Sequence, residues 1–432
     1  RMKSVYFPNQ IVAHSEDDQQ SVLADLTQRA FCINDVCSIP GPTLVVYPGI
    51  TVHIEFENAF DVDSVGDLSD HTDPGITNIH SHGLHISGLE DDIFRAIHPG
   101  QTESFTWTIH PEHHLGTNWY HAHHHHSTAL HIQQGMYGAL IVDAEAHRNM
   151  DDDAYRKEYL LQISWTWLHD EEYCSDTDCE SVVGTPGYFY FDSWTRIPSL
   201  CETWCEYTQE QRNGSGYVYD VQLVDGIENQ PENEDIPSFE AFLVNNQYQP
   251  QIKDLKSWEY AKLRFIQASP ETYVQLAFDY NAQTKCQYWM IARDGVAIQN
   301  EGGLRDLSQA PYDGYFLLPP GGRLDVLVMC KGKGVADIYH DEVHPSWPTL
   351  SDSYPMGRVH RQKLFSLHIT DKNNEARQAY KLGKQHKKQG LPPPPPPFPW
   401  DLGYRGPIGP IPDILTYPEP VLGYPYYLQE LI

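Results

Sequence analysis

The chain has 432 residues, enough for two or three domains with substantial cores, and its 59 Asp and Glu outweigh 29 Lys and Arg to give a formal net charge of −30. A field of that sign repels phosphate backbones, which argues against a nucleic-acid partner, and it attracts cations. No apolar run reaches the roughly 18 residues that a membrane span needs, so no membrane span is predicted, and 40% hydrophobic residues with 32 Pro and 30 Gly describe a turn-rich globular chain.

The start, Arg1-Met2-Lys3-Ser4, opens no apolar stretch of the signal-peptide kind, so an exported protein would already have lost its leader. Strand signals dominate the rest of the chain. Residues 43–47, 51–56, 104–109 and 139–142 are β-branched or aromatic runs punctuated by Pro, Gly and Asn, whereas helical periodicity is confined to 151–159 and 375–387. A faint internal repeat, with Pro99-Gly100-Gln101 before one strand and Pro320-Gly321-Gly322 before another, predicts two all-β sandwich or barrel units. They are placed at 1–150 and 155–371. Residues 372–432 change character, with Lys381, Lys384, Lys387 and Lys388 ahead of six prolines at 392–397 that favour an extended spacer, so this part reads as a Pro-rich linker or arm.

Eight cysteines fall as Cys32/Cys37, Cys174/Cys179, Cys201/Cys205 and the isolated Cys286 and Cys330. Close pairs in an even count predict disulfides and an oxidising compartment, with the connectivity open. Zinc ligation by Cys174, Cys179, Cys201 and Cys205 is the rival reading, which their spacing disfavours. Asn213-Gly214-Ser215 is a glycosylation sequon, and together these features predict a secreted glycoprotein. The acidic run Glu90-Asp91-Asp92 reads as a solvated loop, as does Asp151-Asp152-Asp153.

Histidine is concentrated: 14 of the 23 lie between His71 and His131. Neutral imidazole binds divalent copper, nickel and zinc, with copper highest in the affinity order. In His80-Ser81-His82-Gly83, histidines two apart on an extended chain point to one face, and Gly83 leaves room for another element to approach. In Tyr120-His121-Ala122-His123-His124-His125-His126, His121, His123 and His125 share a face in the same way. Two such clusters on neighbouring strands predict a metal pocket in the amino-terminal unit.

At these residues the chain resembles a known family. Pro40-Gly41-Pro42-Thr43, His80-Ser81-His82-Gly83-Leu84-His85, His98-Pro99-Gly100-Gln101 and the stretch from Gly116-Thr117-Asn118-Trp119 to Leu140-Ile141-Val142 are similar to the first cupredoxin domain of the multicopper oxidases, the laccase and ferroxidase class. Phe242-Leu243-Val244-Asn245, Ile291-Ala292-Arg293-Asp294-Gly295 and Leu318-Pro319-Pro320-Gly321-Gly322-Arg323 are similar to the middle domain of that family. The resemblance implies two Greek-key cupredoxin sandwiches. It also implies copper as cofactor, with His80 at the type 2 position and His82, His121 and His123 at the type 3 positions of a trinuclear cluster. His85 and His125 are expected to support those ligands from behind, His125 because it shares their face.

The family draws electrons one at a time from a donor through a type 1 copper held by Cys and His, and passes them to dioxygen. No cysteine here has a histidine neighbour, and the family's second pair of histidine motifs is reduced to His340 and His344-Pro345. The chain therefore carries half a site. The expectation is the copper-binding part of an oxidase whose third cupredoxin domain lies elsewhere or on another chain, with a phenol-like or metal donor and dioxygen as partners. The alternative is a secreted, non-catalytic copper-binding or structural protein derived from that family.

Overall fold

The computed structural model describes residues 2–14, 21–60, 75–125, 127–143, 157–170, 189–191, 238–270, 272–298, 305–341 and 361–372, with a few single positions between 374 and 381. The sequon at Asn213, the cysteines at 174, 179, 201 and 205, the run 151–153 and the prolines at 392–397 lie outside the described residues. Their regular secondary structure is almost all strand, in two cupredoxin-like β-sandwiches. One short helix, Thr128–Gln133, stands where the sequence shows no helical pattern, and helical positions at 374, 377, 378 and 381 fall in or beside the 375–387 stretch. At 158–159, inside the other predicted helical stretch, the chain is already in the strand Glu158–Asp170. That strand pairs parallel with Tyr260–Gln267, so the ladder and the burial of Leu161 and Ile163 override the local helical pattern.

The amino-terminal sandwich pairs a four-stranded sheet, ordered Gly41–Val46, Tyr137–Val142, Gly116–His121 and His80–His82, with the antiparallel two-stranded sheet of Thr51–Glu57 and Thr102–Thr108. These two strands alternate, and Phe105 and Trp107 turn inward opposite Ile54 and Val52. Gly116–His121 and Tyr137–Val142 are buried along their whole length because each of their faces meets a different core. Tyr120, Leu140 and Val142 pack with Phe56, Phe105 and Trp107 inside the sandwich. On the other face Trp119, Tyr137, Ala139 and Ile141 pack with Ile266 and Ala268 of the second unit. The Tyr120 hydroxyl donates to the Pro42 carbonyl at 2.7 Å, tying the Pro40-Gly41-Pro42 segment to the sheet.

The second sandwich sets a sheet running Phe189–Phe191, Glu158–Asp170, Tyr260–Gln267, Arg323–Cys330, Cys286–Arg293 and Val296–Ala297 against one running Gln251–Ser257, Gln362–Lys372, Gly334–His340, Val274–Phe278 and Tyr315–Leu318. Its core is filled by Phe242, Leu263, Phe265, Tyr288, Val326 and Phe365. Cys286 and Cys330, isolated in sequence, stand opposite each other on neighbouring strands and form a disulfide, as do Cys32 and Cys37.

A buried polar knot joins the two units. The Thr117 hydroxyl donates to Asp325 Oδ1 at 2.7 Å, and the Arg264 guanidinium donates to Thr117 Oγ1 at 2.7 Å and to Asp325 Oδ2 at 3.0 Å. Arg264 and Lys262 also pair with Glu158. Burial pushes the Glu158 carboxyl up, but these two cations outweigh it and hold the group near 2.

Candidate metal centre

The pocket is built by register. Antiparallel pairing sets His80 opposite His121 and His82 opposite Trp119, so one face of two adjacent strands carries all four rings. One ring nitrogen from each of His80, His82 and His121 lies within 4.8 Å of the others. The His123 ring centre is 5.0 Å from that of His80 and 5.4 Å from that of His121, so the fourth predicted ligand borders the same space. Trp119 floors the pocket, stacked on His121 at 4.2 Å and tilted against His82 at 5.0 Å.

Two of the rings have a polar partner at Nδ1. His121 Nδ1–H donates to the Ala122 carbonyl at 2.8 Å, which leaves Nε2 as the lone-pair nitrogen. His80 Nδ1 stands 2.9 Å from Asp91 Oδ2. Asp91 in turn accepts from the Ser81 main-chain N–H at 3.1 and 3.2 Å and from the Ser81 hydroxyl at 2.8 Å. The reading of Glu90-Asp91-Asp92 as a solvated loop is therefore corrected at Asp91, whose side chain is only 8% exposed. Asn78 is a further site residue that the histidine spacing did not reveal. Its amide donates to the carbonyls of Ile93 and Arg95 at 2.8 and 3.1 Å, and its oxygen accepts the His123 main-chain N–H at 2.7 Å. One side chain thus links the Asp91 loop to the segment that carries His123. The only sequence signal was its place two residues before His80.

Burial sets the charge state. Desolvation first, then Arg323 and the neighbouring imidazoles, lowers His82 to about 3. Desolvation also holds His121 well below the ordinary imidazole value and lowers His123. These rings are neutral at pH 7, the form that binds a metal. Convergent imidazoles, with His82, His121 and His123 held neutral by burial, a carboxylate beside His80 and a carbonyl on His121, fit a borderline transition metal such as copper.

The other histidines divide. His125 is exposed beyond the end of the strand at His121, so the two-residue alternation that placed it on the ligand face does not reach it. The chain turns there because the Thr128 hydroxyl donates to the His124 carbonyl at 2.8 Å and starts the short helix. His124 is buried beside Ser127. His85 does not stand behind the ligand rings: it packs with His113 and His114, ring centres 5.1 and 5.0 Å away. His340 in the second sandwich accepts the Gln275 main-chain N–H at 3.2 Å and packs on Phe242 at 4.8 Å, while His344 lies outside the described residues.

The second unit closes one side. Gly321, at φ +73°, brings the Pro319-Pro320-Gly321-Gly322 turn so near that a Cβ there would sit 2.8 Å from His82 Cε1. Gly83, at φ +101°, leaves space filled by Asn118 and Arg323.

Residues 15–147 match the multicopper oxidase family. That match falls on the amino-terminal sandwich. Over 262 residues the chain is 26% identical to copper resistance protein A of Escherichia coli, an alignment covering 55% of this chain and 35% of that protein. Its fold is similar to that of the McoA multicopper oxidase of the hyperthermophile Aquifex aeolicus, with a TM-score of 0.53 at 15% identity over 86% of this chain and 61% of that one. The 2F4 variant of McoA gives 0.52 at 16% identity, covering 86% and 62%. At such identity the structural likeness establishes the fold alone. The chain spans about a third of the length of copper resistance protein A and under two thirds of McoA. The family match covers His80, His82, His121 and His123, so the matched stretch and the imidazole cluster coincide.

Proposed function

We propose that this chain is the copper-binding part of a multicopper oxidase, coupling one-electron oxidation of a phenol-like or metal donor to reduction of dioxygen to water. The observation that carries the reading is the approach of His80, His82 and His121 nitrogens to within 4.8 Å of one another, with His123 at the rim. Copper bound there would supply one-electron chemistry toward dioxygen. His80 would hold the type 2 position, and His82, His121 and His123 the type 3 positions. The chain's own residues orient and shelter: Asp91 fixes the His80 ring, the Ala122 carbonyl fixes the His121 tautomer, and Trp119 with the Gly321 turn keeps water from one wall.

Four imidazoles make half of a trinuclear site, and no cysteine beside a histidine exists here to form a type 1 relay. A third cupredoxin domain, on the same polypeptide or another, completes the pocket from its open side. The disulfides Cys32–Cys37 and Cys286–Cys330 support an oxidising, extracytoplasmic location. Among the described residues no helix is long and apolar enough to cross a membrane.

Copper stoichiometry tests the pocket. The chain loaded with Cu(II) should lose at least one equivalent when His82 and His123 are both replaced by Ala, and none with His53→Ala on the exposed face of the Thr51–Glu57 strand. Equal copper in both variants would refute the assignment. Absorption near 600 nm from the native protein, with a mass well above that of 432 residues, is expected of the oxidase. A colourless chain of that mass, copper-loaded yet inert to dioxygen, is the outcome expected of a non-catalytic copper-binding protein.

A further inference from the structure

We propose that His85 and His114 form a second transition-metal site, distinct from the His80 pocket, for a divalent first-row cation, with Cu(II) favoured by its place in the affinity order. The two imidazole centres stand 5.0 Å apart, with their planes at 86°. Two imidazoles sharing one ion through bonds of about 2.0 Å at roughly tetrahedral angles have their ring centres about 5 Å apart, so the spacing of these two rings is compatible with a shared ion.

The third ring of the group is the scaffold. His113 is 1% exposed, and both its nitrogens are committed: Nε2 accepts the His85 main-chain N–H at 3.0 Å, and Nδ1–H donates to the His114 carbonyl at 2.8 Å. It cannot ligate without giving up one of these bonds. What it does is fasten the main chains of His85 and His114 to one another, which holds their two rings in contact. The turn from His110 to His113 completes the frame, with the His113 N–H donating to the His110 carbonyl at 2.9 Å and the Glu112 N–H donating to His110 Nδ1 at 3.1 Å.

The two sites part at Gly83. His82 faces His80, Trp119 and His121, while three residues on His85 faces His113 and His114. The positive φ of Gly83 turns the chain between them. His85 and His114 are half-buried, so an ion at their rings is reachable from solvent. A chain with net charge −30 concentrates cations around such a site.

The test uses the full chain carrying His82→Ala and His123→Ala, so that it does not depend on the pocket assigned above. Copper sulfate is added near pH 7 and followed by equilibrium dialysis and electron paramagnetic resonance. One Cu(II) per chain should remain, with hyperfine coupling from two imidazole nitrogens, and adding His85→Gln and His114→Gln should abolish it. Should the fourfold variant unfold, His114→Gln alone, at the half-buried edge, should weaken binding at least tenfold with an unchanged circular dichroism spectrum. Absence of the residual copper, a signal without two nitrogens, or an affinity indifferent to His85 and His114 would overturn the site.

Discussion

Asp91 carries the pocket's most consequential side-chain contact. Its carboxylate lies 2.9 Å from His80 Nδ1 and collects three donations from Ser81, two from its main-chain N–H and one from its hydroxyl, so it ties the strand that bears His80 to the loop beside the ring. Partners of ligating imidazoles contribute roughly 10- to 100-fold in metal affinity. Asp91→Ala is therefore expected to weaken copper binding by about that factor while Asp92→Ala, on the exposed turn, leaves it unchanged, as read by competition with a chelator. Equal affinities would remove Asp91 from the site. The ligand-type residues were legible from the sequence because an H-x-H spacing on a strand fixes a common face. Asp91 was not, because nothing local tells an acid in a solvated run from one folded back ten residues onto a histidine.

At the scale of elements, the informative strands are those buried on both faces. In Tyr137–Val142, Leu140 and Val142 enter the sandwich core while Tyr137, Ala139 and Ile141 meet the second unit, so the sequence reads as a continuous apolar run without the usual alternation, and the neighbouring Gly116–His121 sends Tyr120 to the first core and Trp119 to the second. The strand Thr102–Thr108 has one wet face and alternates cleanly, with Phe105 and Trp107 inward. Trp107 is fully buried, and Trp107→Ala should cost about 3–5 kcal/mol in a denaturant titration, with its size set by how far Ile54, Phe105 and their neighbours can collapse. A cost under about 1 kcal/mol would mean that this two-stranded sheet is not part of the cooperative core. The end of the Gly116–His121 strand was less readable. Six residues from His121 to His126 look like one continuing strand, yet hydroxyls at Ser127 and Thr128 bond back to His124 and turn the chain.

On the scale of the whole molecule, buried imidazoles couple stability to pH. Desolvation, with smaller contributions from neighbouring imidazoles, lowers His85 to about 3, and desolvation lowers His113 to about 4 despite the opposing hydrogen bond to His114. The unfolded chain takes up these protons near pH 6.5, so between roughly 6.5 and 4 it binds protons that the folded chain refuses. The metal-free protein therefore loses stability as pH falls through that window, and gains nothing further above about 7. Protonating carboxylates relieves the self-repulsion of a −30 chain and acts in the opposite direction, so the readout is a difference. The fall in Tm from pH 7.5 to 5.0 should be smaller for His113→Gln than for the unmodified chain; an equal or larger fall would contradict a neutral, buried His113.

The all-β class, the strands and the two histidine motifs are determined by the sequence alone, since period-two patterning and ligand spacing are local properties of an extended chain. What folding decided is which of fourteen clustered histidines face one another. Cross-strand register set His80 against His121, the turn at Gly83 sent His85 to His113 and His114, and packing between the sandwiches laid Gly321 on His82. Those choices depend on contacts between residues far apart in the chain, and no local spacing encodes them.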